Sequence, residues 1–306
     1  METPLTHFTG LVAAPYTPFS ADGSLNLSVV EKQVAHLGSI GVKGAFVCGT
    51  TGEGLSQTVE ERKQVAVQWR EIADSDFTLI VHTGSLCLSE AQELGRHAQE
   101  IGANGFAAIA PCFYRPATLD DLVEWCIKVA SAAPELPFLY YHIPTWTYVD
   151  FPMAEFLPRA AERIPNFGGI KFTHHDVADY AATVQASGGS HALFFGQDEI
   201  LLQALKVGGV AAVGSTYNYG APIYHRVIAA YQSSNLIEAE AAQQQSADFV
   251  AVMQRHGGLP ANKAIMRLCG VDCGPVRPPL RSRTPTEESA LRTDLETLGF
   301  FDWLNA

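Results

Sequence analysis

With 306 residues, 47% of them apolar and 17% charged, the chain is long enough for one large α/β domain plus an extension, and its composition is that of a packed globular protein rather than a disordered one. A formal net charge of −12 and the lack of any basic stripe argue against nucleic acid or an anionic membrane surface as partner. No apolar stretch approaches the roughly 20 residues that cross a bilayer, and Met1-Glu2-Thr3-Pro4-Leu5-Thr6-His7 has no basic start followed by an apolar segment, so it does not read as a signal peptide.

In chain order, short apolar runs read Gly10–Ala14, Gly44–Cys48, Thr78–His82, Gly105–Ala110, Pro137–Tyr141, Phe167–Phe172, Ala192–Phe195 and Gly209–Val213. Near-continuous apolar strands indicate a parallel sheet covered on both faces. Amphipathic stretches with helix-start signals lie between them. Thr58 with Glu61 forms a capping box, and Ser89, Thr118 and Asp176 stand at the head of later helices. Eight strand–helix alternations predict an α/β TIM (β/α)8 barrel over residues 1–232. An open doubly wound sheet would carry a Gly-x-Gly-x-x-Gly turn after its first strand, where this chain has Pro15-Tyr16-Thr17-Pro18. From about Ser233 the strand pattern stops. A long helix over Glu238–His256, a shorter one through Ala264-Ile265-Met266, a Pro-rich turn and a last helix from Thr286 make a C-terminal helical extension, 233–306. None of the six cysteines forms a Cys-x-x-Cys pair, and Cys48 and Cys112 read as small buried strand residues, so reduced thiols and a cytoplasmic address are expected.

The active site of such a barrel lies at the C-terminal ends of its strands. Of the seven lysines, Lys171 alone stands near such an end, sharing one face of the sixth strand with Thr173 while Ile170 and Phe172 face the helices. A buried amine loses its charge near pH 7 and becomes a nucleophile toward ketones; the competing reading is a lysine that snorkels to solvent. The second strand runs into Gly49-Thr50-Thr51-Gly52-Glu53-Gly54, which is either a tight βα turn or a cradle of hydroxyls and N–H groups for a small carboxylate. It is no phosphate loop, since no Gly-Lys-Ser/Thr follows. Tyr141, in Tyr140-Tyr141-His142-Ile143-Pro144, offers a proton-transferring phenol or a buried structural tyrosine. Asp198 and Glu199 complement a helix dipole or accept hydrogen bonds from a hydroxylated ligand.

Taken in order, Gly-Thr-Thr-Gly-Glu, Tyr141, Lys171 and Gly214-Ser215 resemble the pyruvate-dependent class I aldolases, the dihydrodipicolinate synthase / N-acetylneuraminate lyase family, over almost the whole chain. The resemblance implies a TIM barrel, a homotetramer, Lys171 as Schiff-base residue, Tyr141 as acid/base phenol, Thr50 and Thr51 on the pyruvate carboxylate, and no metal or organic cofactor. Trp146 stands where the synthases carry an arginine for a second carboxylate. Gly196-x-Asp198-Glu199 with Gly214-Ser215-Thr216-Tyr217-Asn218 is similar instead to the sialic acid lyase pattern, which implies Thr173, Gly196, Asp198, Glu199 and Ser215 as contacts to the hydroxylated part of the substrate. The expected reaction is cleavage of N-acetylneuraminate to N-acetylmannosamine and pyruvate. Phe113 replaces the tyrosine that relatives lend to a neighbouring subunit, with Tyr114 beside it, and Trp146 and Tyr148 are bulky for a sugar pocket. The alternatives are cleavage or dehydration of another 2-keto-3-deoxy sugar acid, dihydrodipicolinate synthesis, a metal-dependent aldolase on His174, His175 and Asp176, and a keto-acid sensor without turnover.

Overall fold

The computed structural model describes residues 5–304. Eight parallel strands, β1 (Gly10–Ala13), β2 (Gly44–Val47), β3 (Thr78–His82), β4 (Gly105–Ile109), β5 (Phe138–His142), β6 (Phe167–Phe172), β7 (Ala192–Phe195) and β8 (Ala211–Gly214), pair in sequence order. β8 returns to β1 with Gly10 opposite Ala211, so the sheet closes and has no edge. The helices that cover it are α1 (Val30–Ser39), α2 (Val59–Ile72), α3 (Leu88–Glu100), α4 (Leu119–Ala130), the short α5 (Pro144–Thr147), α6 (Met153–Arg163), α7 (Val177–Ser187), α8 (Leu201–Lys206) and α9 (Ala221–Gln232). Beyond the barrel follow α10 (Leu236–Arg255), α11 (Leu259–Leu268), α12 (Pro285–Leu298) and α13 (Phe300–Trp303). The TIM barrel and its helical extension are as the sequence predicts.

Strand alternation builds two cores. Val12, Phe46, Ile80, Ala107, Leu139 and Phe194 fill the barrel, while Ile170, Phe172, Tyr140 and Phe195 pack outward against the helices. β6 breaks its own alternation. Phe138 pairs with Phe167 but Leu139 pairs with Gly169, leaving Gly168 as an extra residue in a bulge. Gly169 takes φ 144, and a Cβ there would sit 1.9 Å from the Ala192 carbonyl oxygen. The bulge lets Phe167 face outward and still delivers Lys171, four residues on, to the interior.

Local signals hold in part. Thr58 and Thr118 form the capping boxes of α2 and α4, and Asp176 accepts from the N–H groups of Ala178 and Asp179 at the head of α7. Ser89 does not cap: it lies inside α3, which starts after Cys87. Cys48 and Cys112 are not strand residues. Cys48 has φ 58 and turns the chain out of β2, and Cys112 lies half-buried in the loop past β4. β8 starts two residues later than its apolar run, because the Gly209 N–H is still bonded to the Ala204 carbonyl of α8.

Candidate active site

Lys171 comes off the inner face of β6 with its side chain buried, Nζ lying 4.0 Å from the Phe46 ring centroid and 4.1 Å from that of Tyr141. Among the described residues it forms no ion pair. Burial pushes its pKa down from 10.5 to about 7, an effect that nearby Asp198 partly offsets. A substantial fraction of the amine is therefore neutral at neutral pH. Tyr141, directly opposite on β5, places its hydroxyl 3.4 Å from Thr50 Oγ1. Burial raises the phenol to about 12, with the Thr50 and Thr173 hydroxyls working against the rise, so it rests protonated.

The loop after β2 is wound tightly enough to bring Thr50 and Thr51 to the mouth. Cys48 and Glu53 both adopt left-handed backbone, the Gly54 N–H bonds to the Gly49 carbonyl, and a Cβ on Gly54 would lie 1.9 Å from the Cys48 carbonyl oxygen. Glu53 points away from the mouth. Its Oε1 pairs at 2.9 Å with Lys263 of α11, and its Oε2 accepts from the Arg277 N–H at 2.7 Å. Lys263 also donates to the carbonyls of Thr17 and Pro275.

On the opposite wall, Asp198 is buried and its pKa rises to about 6, burial outweighing two hydrogen bonds from Thr216. Those bonds, from the backbone N–H at 3.1 Å and Oγ1 at 2.5 Å, both reach Oδ2, while Oδ1 makes none. The buried Thr173 Oγ1 makes no hydrogen bond of normal geometry, though it stands close enough to the Tyr141 hydroxyl to help hold that phenol's pKa down. Two glycines make room for these groups. A Cβ on Gly214 would meet Asp198 Oδ1 at 1.9 Å, and one on Gly196 would meet Thr173 Oγ1 at 2.0 Å.

Lys171, Tyr141, Thr50, Thr51, Thr173, Gly196, Asp198, Glu199 and Ser215 all line one cavity of about 170 Å³ at the C-terminal end of the barrel. Val250, Met253 and Gln254 of α10 close its side, and sequence reasoning missed them because an amphipathic helix gives no sign of which face it lends to a site. Phe46 beneath the amine and His82, whose ring stands edge-on to Tyr141, were also missed. Trp146 and Tyr148 do not line the cavity; they are exposed, as are Phe113 and Tyr114, which stack edge to face. His174, His175 and Asp176 do not converge: His174 faces His142, His175 approaches Glu199 at 3.9 Å, and Asp176 caps α7.

An enclosed neutral amine, a phenol, a hydroxyl-rich loop and buried polar atoms on the far wall suit imine chemistry on a polar keto acid. The chain matches the Dihydrodipicolinate synthetase family over residues 7–298. It is similar to the N-acetylneuraminate lyase of Rattus norvegicus, 40% identical over 99% of this chain and 96% of that protein, and to that of Homo sapiens, 41% identical over the same shares. Among solved structures, the N-acetylneuraminate lyase of Proteus mirabilis superposes with a TM-score of 0.93 at 38% identity, covering 96% of this chain and 99% of that one.

Proposed function

The chain belongs to the Dihydrodipicolinate synthetase family, and on that premise we propose that it is a carbon–carbon lyase, a class I aldolase that splits N-acetylneuraminate into N-acetylmannosamine and pyruvate. The observation that carries this reading is the Lys171 amine, free of any carboxylate partner, with a pKa near 7 and a protonated phenol across the strand pair. Neutral Nζ attacks the keto carbon, and Thr50 and Thr51 hold the adjacent carboxylate. Loss of the carbinolamine hydroxyl as water takes a proton, which Tyr141 supplies, leaving a protonated imine and a phenolate. The phenolate, alone or through the substrate carboxylate, then removes the proton from the hydroxyl two carbons from the imine carbon. The carbon–carbon bond breaks, releasing the aldehyde and storing the electron pair as an enamine. Tyr141 returns the proton to the enamine carbon, and hydrolysis frees pyruvate and Lys171. No step calls for a metal or an organic cofactor.

Thr173, Gly196, Asp198, Glu199 and Ser215 are assigned to the polyhydroxylated end of the substrate. Asp198 Oδ1 and Thr173 Oγ1 support this: they make no hydrogen bond of normal geometry, stand beside the Tyr217 and Tyr141 phenols, and can accept from a polyol. Trp146 supplies no guanidinium for a second carboxylate, which disfavours dihydrodipicolinate synthesis. We assign residues 1–232 to the catalytic barrel and 233–306 to the extension, and propose a cytoplasmic homotetramer in which exposed Phe113 and Tyr114 meet a neighbouring subunit. No helix among the described residues is long and apolar enough to cross a membrane.

The test is borohydride reduction in the presence of pyruvate, followed by peptide mass analysis, together with pyruvate release from a panel of sialic and deoxy-keto sugar acids. A reduced pyruvyl adduct on Lys171 and preference for N-acetylneuraminate are expected. An unmodified Lys171 overturns the mechanism, and preference for another sugar acid overturns the substrate.

A further inference from the structure

Alternation along β5 turns Tyr141 into the barrel and the next residue, His142, out of it. His142 is 1% exposed and packs against Phe172 and Tyr140, with ring centroids at 5.2 and 6.2 Å. Neither Nδ1 nor Nε2 has a hydrogen-bond partner. A buried imidazole with two orphaned nitrogens is costly and uncommon, and it does not belong to the cavity, which it does not line. Two other groups converge on it. His174, just beyond β6, stands edge to face with the His142 ring at 5.6 Å, and Asp150, between α5 and α6, brings Oδ1 to 4.0 Å from Nε2. The three offer one ligand atom each, all within 4.8 Å of one another.

We propose that His142, Asp150 and His174 form a divalent-metal site of the zinc class on the outer wall of the barrel, unconnected with the chemistry of Lys171. Two imidazole nitrogens and one carboxylate oxygen suit zinc or cobalt rather than magnesium or calcium, which prefer all-oxygen shells. Tetrahedral zinc with bonds of about 2 Å sets its ligand atoms roughly 3.3 Å apart, so the group has an open form of the required arrangement. His142 is fixed by packing, whereas Asp150 is exposed and His174 half-buried, leaving both free to close by the remaining ångström or so. The exposed side leaves the fourth position to water.

The site ties the segment that carries Asp150 to the paired ends of β5 and β6. His142 ends β5, its carbonyl accepts the Thr173 N–H at 2.8 Å beside His174, and Asp150 follows the turn at Tyr148, where φ is 54. A bound cation clamps the 143–150 segment, with its exposed Trp146 and Tyr148, to the two strands that carry Tyr141 and Lys171. The role is structural, and neither ligand side chain to be mutated below faces the cavity.

Tag-free full-length protein, stripped with EDTA and dialysed, is titrated with Co²⁺ alone while visible d–d absorption is followed, then with Zn²⁺ in competition. One Co²⁺ per chain is expected, displaced by Zn²⁺, with a rise in melting temperature. His174→Ala and Asp150→Asn each weaken binding by about tenfold or more, whereas His175→Ala, one residue away, leaves it unchanged. Circular dichroism checks that the variants are folded. Failure of the wild-type chain to bind Co²⁺ stoichiometrically, or wild-type affinity in the His174 and Asp150 variants, overturns the assignment and leaves the two His142 nitrogens to buried water.

Discussion

Replacing Lys171 by Met removes the amine but keeps an unbranched, apolar stem against Phe46 and Tyr141, and it tests the electrostatics without substrate. The folded-state pKa is about 7 against an ordinary 10.5, a difference worth about 5 kcal/mol. Below pH 7 the lysine is protonated in both folded and unfolded chains, so the full penalty of burying a cation opposes folding. Between the two values the unfolded chain holds the extra proton, and stability rises with pH. From pH 7 to pH 9 the wild-type chain gains about 2 kcal/mol from this group, and Lys171→Met gains none. Asp198, with its pKa near 6, is already ionised through most of that window in the wild type. Urea denaturation of both proteins at several pH values measures the difference directly. Lys171→Met is expected to be the more stable at pH 7, with its advantage shrinking by about 2 kcal/mol at pH 9. Parallel stability curves would show that the amine is hydrated and carries an ordinary pKa, and the account of a ready nucleophile would fail with it.

Tyr141→Phe removes only the hydroxyl beside Thr50; turnover is expected to fall by a factor on the order of 10² or more, and unchanged steady-state rates would exclude proton transfer by the phenol. Gly214→Ala forces a methyl into the space of Asp198 Oδ1, so kcat/KM for the sugar acid should drop on the order of 10²-fold while pyruvate still forms a reducible adduct. Equal damage to both would place Asp198 in the general architecture rather than at the polyol end. Lys263→Met leaves the buried Glu53 carboxylate without its cation and is expected to cost about 3–5 kcal/mol in urea denaturation. Adding Glu53→Gln should restore part of that loss; if it restores none, the pair contributes packing rather than charge neutralisation.

The barrel was legible because eight buried strands leave eight apolar runs, and period-two alternation was enough to turn Lys171 inward once its strand was placed. The same alternation failed to foresee the Gly168–Gly169 bulge, which is visible only when Phe138 and Leu139 are seen pairing across it. That Lys171, Tyr141, Thr50 and Thr51 meet was readable from their places at strand ends, where a barrel gathers its loops. Thr173, Gly196, Asp198, Glu199 and Ser215 were singled out by the resemblance, and all nine line one cavity. The purposes of Gly196 and Gly214 were not readable, since what they make room for, Thr173 Oγ1 and Asp198 Oδ1, comes from other loops. Nor was the destination of Glu53. It belongs to the Gly-Thr-Thr-Gly-Glu motif by sequence, yet its partner is Lys263, which reads simply as a helical lysine. His142, His174 and Asp150 meet because of tertiary packing alone, and their spacing along the chain resembles no ligand motif.

The Glu53 anchorage also bears on how the molecule is made. The hydrogen bond from Arg277 to Glu53 spans 224 positions, so the threonine-bearing loop emerges from the ribosome long before the groups that will satisfy its acid. A nascent or C-terminally shortened chain therefore holds an unneutralised carboxylate behind the loop whose threonines line the mouth. A chain that ends before Lys263 and Arg277 lacks both partners of that acid, so the loop's full anchorage arrives only with α11 and the segment that follows it.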